Sequence, residues 1–193
     1  IYQPLATPPS WREADIKASQ IRFDTAGFQE KPVFKADHLN VFLVVEAGDN
    51  HISVLDGDKL EVIHRFPTRY ALHGGPKFTF EGRYVYWASR DGWVTKYDLW
   101  NLKPVAEIRA GLNTRNLAVS SDGRTVVVAN YLPHTLVALN AEDLSLVKVI
   151  PVVGANGKSS RVSAVYDARP RGSFIAALKD IPEAWEIVYD EAK

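Results

Sequence analysis

The sequence predicts an all-β protein, part of a β-propeller. Three observations predict it: short β-branched and aromatic runs bounded by Gly, Asp and Asn turns, no helical periodicity after residue 35, and an internal repeat of about 42 residues. Residues 1–35 read as an irregular lead-in or linker, because Pro4, Pro8 and Pro9 forbid regular structure there. Within it, Trp11 to Arg22 suits a short helix or an edge strand. The runs that follow are VFLVVEA (41–47), HISVLD (51–56), LEVIHRF (60–66), KFTF (77–80), YVYWA (84–88), WVTKYD (93–98), TVVVAN (125–130), TLVALN (135–140) and SLVKVIPV (145–152). Their length and composition are those of strands.

The repeat sets the architecture. Asp56, Asp98 and Asn140 each end a strand at steps of 42 residues, and Leu60, Leu102 and Leu144 follow at the same step. The turns Glu81-Gly82-Arg83 and Asp122-Gly123-Arg124 recur at 41, and Arg171-Gly172-Ser173 opens a looser fourth copy containing FIAALKD and WEIVYD (185–190). Such a period, with about four strands per unit, is that of propeller blades. In the second unit strand A is 77–80, B 84–88, C 93–98 and D 104–108. Residues 36–193 thus supply the first three to four blades. Because each blade packs between two neighbours, a ring of six to eight blades is expected, with the remainder disordered, cleaved off or on another chain.

Composition removes several function classes. The 23 basic and 23 acidic residues cancel, which argues against a broad nucleic-acid surface. The absence of Cys excludes disulfides, thiolate metal sites and a CxxCH haem attachment in this chain. No apolar run is long enough for a membrane span, and a chain starting at Ile1 without a signal peptide is expected to be processed or a fragment. The spacing of His38, His51, His64 and His134 does not suit zinc, and GANGKSS (154–160) lacks the glycine spacing and following helix of a phosphate loop. No GxSxG elbow is present. Trp87, Trp93 and Trp100 are expected to fill space between blades, and Asp56, Asp98 and Asn140 to bond their own turns.

Candidate chemistry gathers at one end of the blades. In an antiparallel blade the crossovers into strand A and the B-to-C loops emerge on the same face. His73 and Thr114 stand nine residues before Gly82 and Gly123, in crossovers just ahead of strand A; Arg115 follows Thr114, and Arg161 takes the corresponding place in the fourth unit. Arg90 and Tyr131 occupy equivalent B-to-C loops. One imidazole, three guanidiniums and one phenol at a channel mouth suit a planar, carboxylated ligand held at a metal.

The stretch VLDGDKLEVIHRFPTRYALHGGPKFTFEGRYVYWASRDGWVTKYDLWNLKPVAEIRAG resembles the first blades of the haem d1 domain of cytochrome cd1 nitrite reductases, and GKSSRVSAVYDARPRGSFIAALKDIPEAWEIVYD resembles the same family and its biosynthetic relatives. Its sharpest elements are a His ahead of a GRY strand, then SRDG, then DLW. The resemblance implies an eight-bladed propeller with haem d1 in the central channel. It implies His73 as the axial iron ligand, Arg90 as a carboxylate-binding arginine, Arg115 and Tyr131 as pocket-lining residues, and Arg161 as the Arg of the Arg-Val that opens the fourth blade. Two positions depart from the reductases. Glu46-Ala47-Gly48-Asp49 replaces a cationic first loop with an anionic one, and Pro76 stands where the reductases carry Arg.

With NYLP and SSRVSAVYDA, these departures resemble the haem d1 maturation proteins: the NirN-type dihydro-haem d1 dehydrogenases first, NirF-type proteins second. That branch implies a periplasmic oxidoreductase that binds haem d1 or its dihydro precursor while a propionate becomes an acrylate. Electrons would leave through a c-type haem domain, absent from this chain, and nitrite reductase or other maturation proteins would be partners. The alternatives are a nitrite reductase, and a cofactor-free propeller that binds a protein.

Overall fold

The computed structural model describes residues 9–189. The lead-in contains α1 (Glu13–Ala18) and β1 (Ile21–Arg22). Four antiparallel sheets follow in sequence order. The first holds β2 (Val41–Glu46), β3 (His51–Asp56) and β4 (Val62–Pro67); the second, β5 (Leu72–Phe78), β6 (Tyr84–Ser89), β7 (Trp93–Asp98) and β8 (Lys103–Arg109). The third holds β9 (Asn113–Val119), β10 (Thr125–Leu132), β11 (Thr135–Asn140) and β12 (Leu146–Pro151); the fourth, β13 (Val162–Ala168), β14 (Ser173–Leu178) and β15 (Ala184–Val188). The WEIVYD run reaches Asp190, which lies outside the described residues.

The sheets stack as blades, and the alternation of each strand shows how. Ile52 and Val54 of the first blade pack against Val85, Trp87 and Tyr97 of the second. On the second blade's other face, Tyr86, Ala88 and Val94 meet Leu117, Val126 and Val128 of the third. Val127 and Ala129 meet Val162, Val165 and Phe174 of the fourth. Central strands such as β6 and β10 are buried on both faces, so they read as continuous apolar runs rather than alternating ones. Phe42 and Val44 stand on β2 where Val85 and Trp87 stand on β6. They are 53% and 43% exposed, because no described blade covers that face.

The expected Asx turns are present: Asp56 Oδ1 accepts from the Asp58 N–H, Asp98 Oδ1 from Asn101, and Asn140 Oδ1 from Glu142. Their repeating partners Leu60, Leu102 and Leu144 all adopt positive φ (59°, 53° and 59°), a conformation unfavourable for a residue with a Cβ. Packing of the side chain offsets that cost at Leu102 and Leu144, which join the blade cores, while Leu60 is 70% exposed.

Three expectations need correction. The lead-in is not wholly irregular: α1 and β1 realise both alternatives for Trp11 to Arg22, one after the other. Ile16 is buried among second- and third-blade residues, Trp11 Nε1 donates to Arg109 O at 2.9 Å, and β1 pairs with β8, covering an edge strand. Pro4 and Pro8 lie outside the described residues. Of the three tryptophans, Trp87 fills a seam between blades, whereas Trp93 lies under the Arg69 guanidinium at 4.0 Å and Trp100 meets His38 edge-on. Finally, strand A of the second blade begins at Leu72, not at residue 77. Gly74-Gly75-Pro76 reads as a break, yet pairing with β6 resumes after a register shift between His73 and Lys77, made by two positive-φ glycines.

Candidate functional site

His73 pairs with Ala88 near the end of β6, inside strand β5 rather than in the crossover. Thr114 and Arg115 likewise lie inside β9, and Tyr131 inside β10. Arg90 directly follows β6, and Arg161 directly precedes β13. The starts of β5, β9 and β13 and the ends of β6 and β10 are the same end of antiparallel blades, so all five candidates share one mouth.

Their contacts are specific. The His73 Nδ1–H donates to the Arg115 carbonyl at 2.7 Å, and Arg115 Nη1 donates to His73 Nε2 at 2.9 Å. These partners assign the tautomer: the proton is on Nδ1 and the lone pair on Nε2. Gly74 makes the contact possible. A Cβ there would fall 2.6 Å from Asn116 Cβ and 2.9 Å from Arg115 O, and its φ is +88°. On the other side, the Asn116 amide donates to Val165 O at 2.9 Å and accepts from Val165 N–H at 3.0 Å, tying β9 to β13.

Tyr131 is the hub of the cations. Arg115 and Arg161 sit 5.6 and 5.2 Å from its ring, and Lys179 Nζ donates to its hydroxyl at 2.9 Å. The Lys179 hydrogen bond, helped by the charges of Lys179, Arg115 and Arg161, lowers the phenol below its ordinary range. Arg161 is already neutralised: Nη2 reaches Asp180 Oδ1 at 2.5 Å, and the guanidinium holds that carboxyl well below the usual carboxylate range. Arg90 is exposed and held through its backbone, its N–H donating to Ala71 O and its carbonyl accepting from Thr114 N–H. Buried Thr114 in turn donates to Asn130 Oδ1 at 2.7 Å.

Lys179 and Asp180 were missed in the sequence. The signal was there: Ala177-Leu178-Lys179 occupies the place in the fourth blade that Ala88-Ser89-Arg90 and Ala129-Asn130-Tyr131 occupy in the second and third. The anionic first-blade loop is internally balanced, with Arg65 pairing with Glu46 at 2.8 Å and also with Asp49. A cleft of about 170 Å³ opens beside His73, lined by Val45, Leu72, Gly74, Pro76 and Trp87. A cleft of about 790 Å³ around Tyr84, Lys96 and Arg124 lies at the opposite strand ends and is lined by none of the candidates.

Among the described residues no group of three or more His, Cys, Asp or Glu converges on a metal position. One imidazole cannot retain iron alone, so a metal at Nε2 would bring most of its ligands with it, as a macrocycle does. Two guanidiniums with no carboxylate partner among the described residues, Arg90 and Arg115, could take acidic side chains of such a group. The residues therefore fit an iron macrocycle bearing carboxylates.

A family model, the Cytochrome D1 heme domain, matches residues 36–193. The chain belongs to the cytochrome d1 haem domain family. Within it, a Pseudomonas aeruginosa dihydro-heme d1 dehydrogenase is 61% identical over 194 residues, covering 100% of this chain and 39% of that protein. Protein NirF of the same organism is 31% identical over 83% of this chain and 41% of its own length. A Stutzerimonas stutzeri nitrite reductase is 29% identical over 91% of this chain and 32% of its own. The solved structure of dihydro-heme d1 dehydrogenase NirN in complex with DHE superimposes with a TM-score of 0.94 at 62% identity, over 98% of this chain and 41% of that one. A Myceliophteria thermophila Cps50 (Swd1) β-propeller domain, 14% identical with a TM-score of 0.61 over 77% of this chain and 51% of that one, shares the fold. This cytochrome d1 haem domain spans about two fifths or less of the curated relatives it matches. Among the described residues, no helix is long and apolar enough to cross a membrane.

Proposed function

We propose that this chain is part of a periplasmic dihydro-haem d1 dehydrogenase, acting late in haem d1 maturation. The observation that carries the reading is the His73 imidazole, fixed in one tautomer with Nε2 at a mouth shared by Arg90, Arg115, Tyr131 and Arg161. A backbone acceptor on the far ring nitrogen is how metal-ligating histidines are oriented. The 61% identity to a dehydrogenase, against 29% to a nitrite reductase, favours the maturation reading.

In this reading His73 Nε2 would hold the iron, while Arg90 and Arg115 would take ligand carboxylates. Arg161, held by Asp180, and Lys179 support Tyr131 along the rim. Dihydro-haem d1, as substrate, would supply the chemistry: its propionate would become an acrylate by losing two electrons, passed one at a time to a c-type haem of another domain, and two protons, taken by a base outside this chain or by solvent. The chain's own residues position the macrocycle and bind its charge.

The test is reconstitution of the full-length protein with dihydro-haem d1. Wild type is expected to give an imidazole-ligated iron spectrum, which His73→Ala loses. An unchanged spectrum in His73→Ala would reject His73 as the iron ligand. Reduction of nitrite to nitric oxide by the loaded protein, without acrylate formation, would select the reductase alternative. Failure of wild type to bind any haem would leave the cofactor-free reading.

A further inference from the structure

The geometry points to Arg115 as the residue that makes iron coordination conditional on an acidic ligand. We infer that its guanidinium caps His73 Nε2 until a ligand carboxylate draws it away; the inference rests on the function proposed above. The lone pair that accepts from Arg115 Nη1 at 2.9 Å is the one an iron would need, and it cannot serve both. The other ring bond, Nδ1–H to the Arg115 carbonyl, belongs to the backbone and survives departure of the side chain. His73 therefore stays aimed when the cap leaves.

Arg115 is suited to exchange. A guanidinium has five N–H donors, and this one makes a single hydrogen bond among the described residues, to a neutral imidazole. A carboxylate offers it two parallel charge-assisted bonds in place of one weaker bond. The neighbouring Arg161 provides the contrast: its fork is already taken by Asp180 and has far less to gain. A macrocycle carrying a free acid can thus uncap His73 as it binds, whereas an uncharged ester has to displace the cap without replacing its bond. Carboxylate recognition and iron ligation become one coupled event, and Arg115 is a specificity-determining residue.

The test uses the full-length protein with iron protoporphyrin and its dimethyl ester, followed by stopped-flow absorbance of the imidazole–iron band. Wild type should ligate the acid about tenfold more tightly than the ester, the factor carried by one charge-assisted bond. Arg115→Ala should lower that ratio several-fold, leaving the part that Arg90 carries, and speed ligation of the ester, because Nε2 is then uncapped. Arg115→Gln, which keeps a donor but no charge, should lose the same part of the discrimination while ligating the ester more slowly than Arg115→Ala. Discrimination unchanged in Arg115→Ala, or an ester rate that does not rise, would overturn the inference while the function stands. If wild type gives no imidazole–iron band with either porphyrin or with dihydro-haem d1, the functional reading itself fails.

Discussion

The seam between β9 and β13 is closed by Asn116, whose amide both donates to and accepts from Val165 in a buried setting. The seam between β5 and β9 is closed by His73, which also makes two hydrogen bonds, both to Arg115, at a half-exposed rim. The bond count is the same and the use differs. An amide bonded at both ends to backbone has nothing to exchange, so the first seam is structural. An imidazole bonded to one backbone carbonyl and one side-chain guanidinium keeps one nitrogen negotiable. The second seam is thus the incompletely committed one.

The substitution that breaks both seams at once should have the largest effect. Gly74→Ala puts a Cβ 2.6 Å from Asn116 Cβ at a φ of +88°, and should cost about 3 kcal/mol in denaturant unfolding through overpacking and backbone strain together. Asn116→Ala should cost about 2 kcal/mol, because the Val165 N–H and C=O lose their partner. The spectrum of bound haem should nevertheless survive, since His73 contacts Arg115 rather than Asn116. Loss of iron ligation with undiminished stability would reverse the assignment of the two seams.

Smaller effects sharpen the comparison. Lys179→Ala removes the main cause of the lowered Tyr131 phenol, so ultraviolet titration should show it move up towards the ordinary tyrosine range while both seams stay closed. Least affected by any of these changes is Glu186, on β15 away from both seams. Arg171, with help from Ser173, holds its carboxyl down at about 2 from an ordinary 4.5. A depressed folded pKa contributes stability that is complete above 4.5 and is lost as pH falls towards 2. Arg171→Ala should flatten that part of the acid limb in a pH series of unfolding midpoints. A limb that keeps its slope would show that Glu186 is not paired in solution.

Much of the candidate site's placement was legible because strand alternation is a counting rule. Once Asp56, Asp98 and Asn140 mark equivalent strand ends, the positions of His73, Arg90, Arg115, Tyr131 and Arg161 fall at one mouth without any knowledge of packing. Lys179 was equally countable, but the looser fourth repeat hid it. His73 was misplaced by a few residues because Gly74-Gly75-Pro76 has the composition of a turn, while in the fold those glycines make a bulge within a strand. Trp93 and Trp100 misled because aromatic size predicts burial, not which face of the blade is buried. Ile16 and Trp11 gave no sign that α1 would clip onto the second and third blades, since their partners lie about a hundred residues away.

Local chemistry alone determined the all-β class, the blade repeat and the end of the disc at which the cations gather, because side-chain periodicity and repeat spacing depend only on neighbours along the chain. Tertiary structure decided which cation is committed and which is free: Arg161 to Asp180, Lys179 to Tyr131, Arg115 to a single imidazole nitrogen. Those pairings depend on how closely strands from different blades approach. That distance is set by what a glycine omits and by how neighbouring cores fill, and both are properties of the packed blades.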